Sequence, residues 1–264
     1  MERYFDPAHR RVVYIGARSD RAYWDRHWQG QEARGRQPSR LSLGDRLVLD
    51  TTRRHLPPRS RILEGGCGPG GKLLLLDRDY RTCGVDYATR TVRRVRLRAP
   101  GLELAVADVR RLPFCGDSFD GYWSLGVIEH FYAGYDAILE EMWRVLRPGG
   151  VLFVTFPSLS RARRVKARLG LFARYHARSD LVAGFYQFAL DPRGVRDTFV
   201  RRGFRLRERR DFNGVAGLAE EARFLSLPLK VLSRLAQRPT DWVLSPWFNH
   251  MTLLVFEKPP GRPA

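Results

Sequence analysis

Apolar residues along this chain come in short runs separated by glycine, proline and charge. Runs at 61–65, 81–86, 102–107, 118–124 and 151–156 have strand length, and 151–156 is an unbroken series of β-formers that suits a buried strand. The segments between them have helical character. One begins near Gly70, one covers about 89–98 and stops before Pro100, and one runs from about Ile128 to Val145. A further helix over 41–56, with Leu41, Leu47 and Leu49 among its apolar positions, ends at Pro57-Pro58. Arg147-Pro148-Gly149-Gly150 reads as a turn. Such alternation predicts an α/β fold, doubly wound, with a mostly parallel sheet and helices on both faces.

Three stretches fall outside this rhythm. Residues 1–40 are polar and rich in arginine and aromatics, and read as a partly irregular N-terminal cap. Residues 158–186 carry seven basic residues and one acid. Within them Ala162, Val165, Leu169 and Phe172 form an apolar stripe at helical spacing, among Arg161, Arg163, Arg164, Lys166 and Arg168. Helix resumes at 191–202, strand at 204–211, and a second insertion covers 213–249 before a last strand at 250–257. In that insertion Leu218, Ala222, Leu225, Leu229 and Leu232 repeat at four- and three-residue steps, interrupted by Pro228. Insertions this long in a compact domain serve as lids or binding elements, so both are expected on the acceptor side of one domain spanning 1–264.

The length supports a sizeable core, and 44% apolar residues is ordinary for a soluble chain. No apolar run approaches the length of a membrane span, and the first residues lack the apolar region of a secretory signal. Cys67, Cys83 and Cys115 are too few and too scattered for a zinc site or a disulfide frame, so no metal is expected. A cytoplasmic protein fits. The formal charge of +19 points toward anionic partners, yet only four basic residues are lysine (72, 166, 230 and 258). So lopsided a ratio also fits the codon bias of a GC-rich genome.

The most informative segment is Ile62-Leu63-Glu64-Gly65-Gly66-Cys67-Gly68-Pro69-Gly70-Gly71, a strand running through a glycine turn into a helix. This is the opening of a nucleotide-binding α/β unit, where glycine lets a ligand approach the backbone. Glu64, Asp86 and Asp108 follow one another at 22-residue intervals, each at the end of a predicted strand. Carboxyl ends of neighbouring parallel strands line one crevice. Three acids there suit a ligand with amino and hydroxyl donors and suit a pyrophosphate poorly.

The ordered set resembles the class I S-adenosylmethionine-dependent methyltransferases, the broad small-molecule group with a seven-stranded Rossmann-like sheet. Glu64 to Gly70 looks like their first motif, an acid followed by G-x-G-x-G, and Gly84-Val85-Asp86-Tyr87 like their second-strand acid. Ala107 to Phe114 resembles the adenine-binding stretch. Ser124-Leu125-Gly126-Val127-Ile128-Glu129-His130 resembles the exit of the fourth strand, and Arg144 to Gly150 the turn into the fifth. Gly65 departs mildly, since a bulkier apolar residue is common there.

The resemblance implies S-adenosyl-L-methionine as cofactor. Glu64 and the backbone at Gly66, Cys67, Gly68 and Gly70 would hold its methionine end. Asp86, with Tyr87 beside it, would accept from both ribose hydroxyls; Asp108 and the Val109 N–H would meet the adenine, and Leu125 would line the site. His130 is the candidate catalytic base, with packing at a helix start as the alternative. His176 and Tyr186 are weaker candidates, and Tyr175 and Trp24 are candidate acceptor walls.

Several readings stay open. Gly66, Gly68 and Gly71 also satisfy a dinucleotide fingerprint, though Glu64, Asp108 and the missing second half speak against NAD. The leading reading is methyl transfer to a small-molecule or lipid-like acceptor; the two insertions read either as lid helices packing on the domain or as a basic, apolar mouth in peripheral contact with an anionic membrane. The rivals are a nucleic-acid (RNA) methyltransferase and a non-catalytic S-adenosylmethionine-binding protein. No Asn-Pro-Pro-Tyr or Asp-Pro-Pro-Tyr follows the fourth strand and no Pro-Cys pair is present, which lowers the nucleic-acid reading.

Overall fold

The computed structural model describes residues 1–33, 41–222, 240–241 and 243–261. In chain order the elements are β1 (Glu2–Asp6), β2 (Arg11–Ile15), α1 (Arg21–Ala33), α2 (Leu43–His55), β3 (Arg61–Gly65), α3 (Gly71–Leu76), β4 (Arg81–Asp86) and α4 (Thr89–Arg98). There follow β5 (Glu103–Val106), β6 (Phe119–Leu125), α5 (Asp136–Val145), β7 (Leu146–Pro157), α6 (Arg161–Arg168), β8 (Ala173–Arg174), α7 (Ser179–Ala183) and β9 (Phe185–Ala189). The chain closes with α8 (Pro192–Arg202), β10 (Arg205–Phe212), α9 (Gly214–Glu221), a short helix at 243–248 and β11 (Met251–Glu257).

Seven strands form the expected sheet, in the order β10-β11-β7-β6-β3-β4-β5. Pairings β7-β6, β6-β3, β3-β4 and β4-β5 are parallel; β11 runs antiparallel to both its neighbours. The chain moves outward from β3 through β4 to β5, then returns to build β6 and β7 on the other side. The strand order therefore reverses between β3 and β6, and ligands bind where it does so.

Physical chemistry explains the core elements. β7 from Val151 to Phe156 is buried throughout, because helices cover both sheet faces. Trp123 stacks on Phe153 with centroids 4.4 Å apart and satisfies its indole N–H on Thr52 Oγ1 at 3.0 Å. Helix α2 starts with a capping box, Ser42 Oγ accepting from the Asp45 amide and the Asp45 carboxylate from the Ser42 amide. It buries Leu47, Val48 and Leu49, whereas Leu41 precedes the cap and is exposed. Each fully buried aliphatic or aromatic side chain contributes roughly 1.5–3 kcal/mol.

Four expectations need correction. Residues 1–33 are ordered as a β1–β2 hairpin and α1, and the hairpin joins β8 and β9 in a second sheet of order β8-β1-β2-β9. Cap and first insertion are thus one structure, and Val13, Ile15, Phe185 and Phe188 enter the same apolar core as the main sheet. The helix expected from Ile128 to Val145 begins only at Asp136. A single 3-10 turn covers Ile128–His130, and Gly134 at φ 101° breaks the path. Arg147–Gly150 bulges within β7, between the pairs Phe119–Leu146 and Gly121–Val151. The apolar stripe is divided: Phe172 packs against the cluster of Val12, Tyr14, Leu159 and Ala189, whereas Val165 and Leu169 are exposed. Leu225, Pro228, Leu229 and Leu232 lie outside the described residues.

Candidate active site

Because β3, β4 and β5 are parallel neighbours, their carboxyl ends meet at one rim. Glu64 is the penultimate residue of β3, Asp86 ends β4, and Asp108 lies two residues past β5. All three line one cleft of about 1750 Å³, and equal spacing along the chain has become a single chemical edge. Gly66, Cys67, Tyr87, Val109, Leu125 and His130 line the same cleft. Gly68 and Gly70 do not. Gly68 sits beneath Trp28, and Gly70, at φ 74°, caps α3 in a left-handed conformation and faces Val95.

Asp86 is buried and accepts the Gly68 amide on Oδ2 and the Ala88 amide on Oδ1, both at 2.8 Å. Burial raises its pKa while those two amides oppose the rise. A carboxylate offers about four lone-pair sites, so two remain for further donors. Glu64 is more deeply enclosed. Its Oε2 has no hydrogen-bond partner, and burial pushes the carboxyl up to about 8, with Lys72 pulling the other way. An orphaned buried carboxyl of this kind is costly and is relieved by a ligand bearing N–H or O–H groups. The residues therefore fit a donor-rich ligand such as a nucleoside bearing a free amino acid.

Asp108 differs. The Arg110 guanidinium grips it with contacts of 3.0 Å and 2.6 Å and lowers its pKa, and the carboxylate is partly exposed. The Cys67 thiol is buried, which raises its pKa and keeps it protonated and unreactive.

His130 follows Glu129 in the 3-10 turn after β6. Its Nδ1 lies 2.8 Å from the Tyr186 carbonyl, which can only accept, so Nδ1 carries the proton and Nε2 the lone pair. Burial lowers its pKa to about 4, leaving the ring neutral at physiological pH. Neighbouring Glu129 is buried with Oε2 unpartnered and pushed up to about 8 by burial.

Helix α1 roofs the cleft, a role the sequence pattern did not give it. Trp24 and Trp28 stack at 5.5 Å, and Trp24 meets His130 edge-on at 4.9 Å. Asp25 pins the roof by accepting from the Thr91 amide at 2.8 Å and from Thr91 Oγ1 at 2.9 Å, and the Tyr87 hydroxyl donates to the Ser19 carbonyl at 2.9 Å. The four-residue spacing of Trp24 and Trp28 was the available signal. Phe131, Tyr132, Val182, Phe185 and Arg178 also line the cleft. Of the weaker candidates, Trp24 is a wall. Tyr175 is buried behind Tyr132 with their hydroxyls 3.0 Å apart, His176 is exposed and outside the cleft, and Tyr186 acts through its carbonyl.

The structural departure at Gly65 also has a cause. A Cβ there would fall on the Tyr122 hydroxyl, so Tyr122 fills the volume that a larger residue would otherwise take.

Comparison with known proteins places residues 63–154 in a family described as a methyltransferase domain. Over 99 residues the chain is 41% identical to the Bos taurus protein named "Probable tRNA methyltransferase 9B", covering 37% of this chain and 21% of that one. Over 100 residues it is 37% identical to a fatty-acid O-methyltransferase of Mycolicibacterium smegmatis, covering 36% of each. The matched stretch is thus well under two thirds of either relative. Among solved structures, the 4+2 cyclase SpnF superposes with a TM-score of 0.61 at 19% identity, over 94% of this chain and 99% of that one. That similarity concerns the fold, and one fold hosts many activities.

Proposed function

We propose, from the premise that this chain belongs to the class I S-adenosylmethionine-dependent methyltransferases, that it transfers a methyl group to a small-molecule or lipid-like acceptor. The observation carrying this reading is the rim of Glu64, Asp86 and Asp108 on a cleft of about 1750 Å³. That volume exceeds the roughly 300–1,000 Å³ of a single-ligand pocket, which leaves room for an acceptor beside the cofactor. The acceptor compartment would be the one walled by Phe131, Tyr132, Val182 and Phe185, whose aromatic and apolar character favours an organic or acyl group.

S-adenosyl-L-methionine, when bound, supplies an electrophilic methyl on a sulfonium. The chain's own residues do the rest. Asp86 would orient the ribose by accepting its hydroxyl protons, and Glu64 would take the ammonium end. Asp108 would accept from the adenine amine once Arg110 yields. Trp24 and Trp28 keep water out, and holding the partners in line is worth ~7–11 kcal/mol. His130 Nε2, left unprotonated by the Nδ1 contact with the Tyr186 carbonyl, would accept the acceptor's proton. The organisation we propose is a single domain over 1–264, the hairpin, α1 and residues 158–186 closing the acceptor side. A cytoplasmic location fits this reading.

Docking on an anionic membrane is a second reading, favoured by exposed Val165, Leu169 and Leu171 beside the arginines of α6. Among the described residues no helix is long and apolar enough to cross a membrane. Flotation with anionic and neutral vesicles at low salt tests it, and equal indifference to both rules it out. The main reading is tested by incubating extracts with methyl-labelled cofactor and purified protein, then searching by mass spectrometry for the labelled product. A labelled small molecule or lipid is expected. Label found only in RNA would favour the nucleic-acid rival, and binding without any transfer the non-catalytic one.

A further inference from the structure

A second cleft, of about 1000 Å³, lies over the edge strand β10. Its walls come from α2, α6, the first turn of α8 and the residues Asp241, Ser245, Pro246 and Asn249. Six arginines line it: Arg46, Arg161, Arg164, Arg193, Arg209 and Arg210. Three aspartates line it as well, Asp50, Asp211 and Asp241; Asp211 offsets one of the arginines, Arg209. Asp211 accepts from Arg209 at 2.9 Å and from Thr252 Oγ1 at 2.6 Å; Asp241 accepts from the Asn213 amide at 3.1 Å and Ser245 Oγ at 3.3 Å. Arg46, Arg161, Arg193 and Arg210 form no ion pair among the described residues. Arg164 reaches Asp191 only at 3.9 Å. Burial lowers its pKa, Asp191 opposes the fall, and Arg193, Arg209 and Arg10 add to it, which shows like charges crowding one space.

Guanidinium groups around a concavity repel one another until an anion enters, and their planar forks match phosphate oxygens. A concave site whose arginines come from four separate elements, α2, α6, α8 and β10, suits a compact anion better than a flat membrane or an extended nucleic-acid backbone. Helix α2 divides this cleft from the first. Ser42 and Asp45 line the methyl-transfer cleft, while Arg46 and Leu47 line the second. We propose that the arginine cleft is a binding site for the diphosphate group of a small ligand, distinct from the cofactor site. The diphosphate can belong to a free nucleotide, to a prenyl diphosphate or to pyrophosphate itself.

Calorimetry on the full chain at about 150 mM salt, where long-range attraction is screened, tests this with inorganic pyrophosphate, ADP and geranyl diphosphate. Saturable binding of pyrophosphate is expected, weakened at least about tenfold in the double variant Arg193→Gln with Arg210→Gln. Both side chains are exposed, so the variant should fold, which circular dichroism and an unchanged S-adenosylhomocysteine affinity verify. Tighter binding of ADP identifies a nucleotide as the source, tighter geranyl diphosphate a prenyl compound, and equal affinities the inorganic ion. Absent pyrophosphate binding, or equal binding by wild type and double variant, overturns the proposal. The S-adenosylhomocysteine titration separates that failure from a failure of the methyl-transfer reading.

Discussion

The indole of Trp28 lies so close to Gly68 that a Cβ built on that glycine would stand 2.8 Å from Trp28 Cε2. The roof helix α1 therefore rests on the glycine turn, and Gly68 holds φ at 48°, a conformation that strains any residue with a side chain. Gly68→Ala is expected to push the roof away and disturb the amide that Asp86 accepts. S-adenosylhomocysteine affinity should fall at least about tenfold, with a change in tryptophan fluorescence. An unchanged affinity would show that the turn does not shape the site.

Glu64 makes the cleft sensitive to pH. The folded chain keeps its proton up to about 8, whereas the unfolded chain loses it near 4.5. Stability from this group is full below pH 4.5 and falls as pH rises toward 8, because the folded state then binds the extra proton. Glu64→Gln should match wild type near pH 5 in thermal melts without ligand and melt higher above pH 8. If the ligand's ammonium pairs with Glu64, wild type should release a proton on binding at pH 7. Calorimetry in buffers of different ionisation enthalpy measures this, and no buffer dependence would refute the pairing.

His130 should act as a neutral acceptor. Its pKa of about 4 predicts no His130 inflection in kcat/KM between pH 5.5 and 7.5. His130→Ala should lower turnover at least about tenfold while S-adenosylhomocysteine binds normally. Near-normal turnover would leave His130 as a packing residue held by Tyr186.

The Gly65–Tyr122 contact predicts overpacking. Gly65→Ala should destabilise the fold by ~1–3 kcal/mol, measured by chemical denaturation. Tyr122 carries a buried hydroxyl without a partner, so Tyr122→Phe should be stable by itself and soften the Gly65→Ala penalty. An additive double variant would show that the two residues do not share the space.

Local signals made most of the central sheet legible. The ends of β3, β4 and α4 fall where glycine, proline and apolar spacing place them, and the acids at 64, 86 and 108 needed only parallel pairing to meet. What escaped was non-local. β2 pairs with β9, more than 170 residues along the chain, so nothing near Val12 or Val13 announces a sheet. The roof formed by Trp24 and Trp28 depends on Asp25 reaching Thr91, another distant contact. In the helix expected from Ile128, Gly134 marked the break, and apolar residues on both sides masked it. The stripe from Ala162 to Phe172 has helical spacing, but α6 ends at Arg168, so Phe172 packs on the domain while Val165 and Leu169 stay exposed.

The central claim is that the rim of carboxylates recognises an adenosyl amino acid. Calorimetric titration of S-adenosylhomocysteine into wild type and Asp86→Ala tests it most directly. Saturable one-to-one heat from wild type, weakened by about two orders of magnitude in the variant, is the predicted result. No heat from wild type, or equal affinity in the two proteins, would contradict the account.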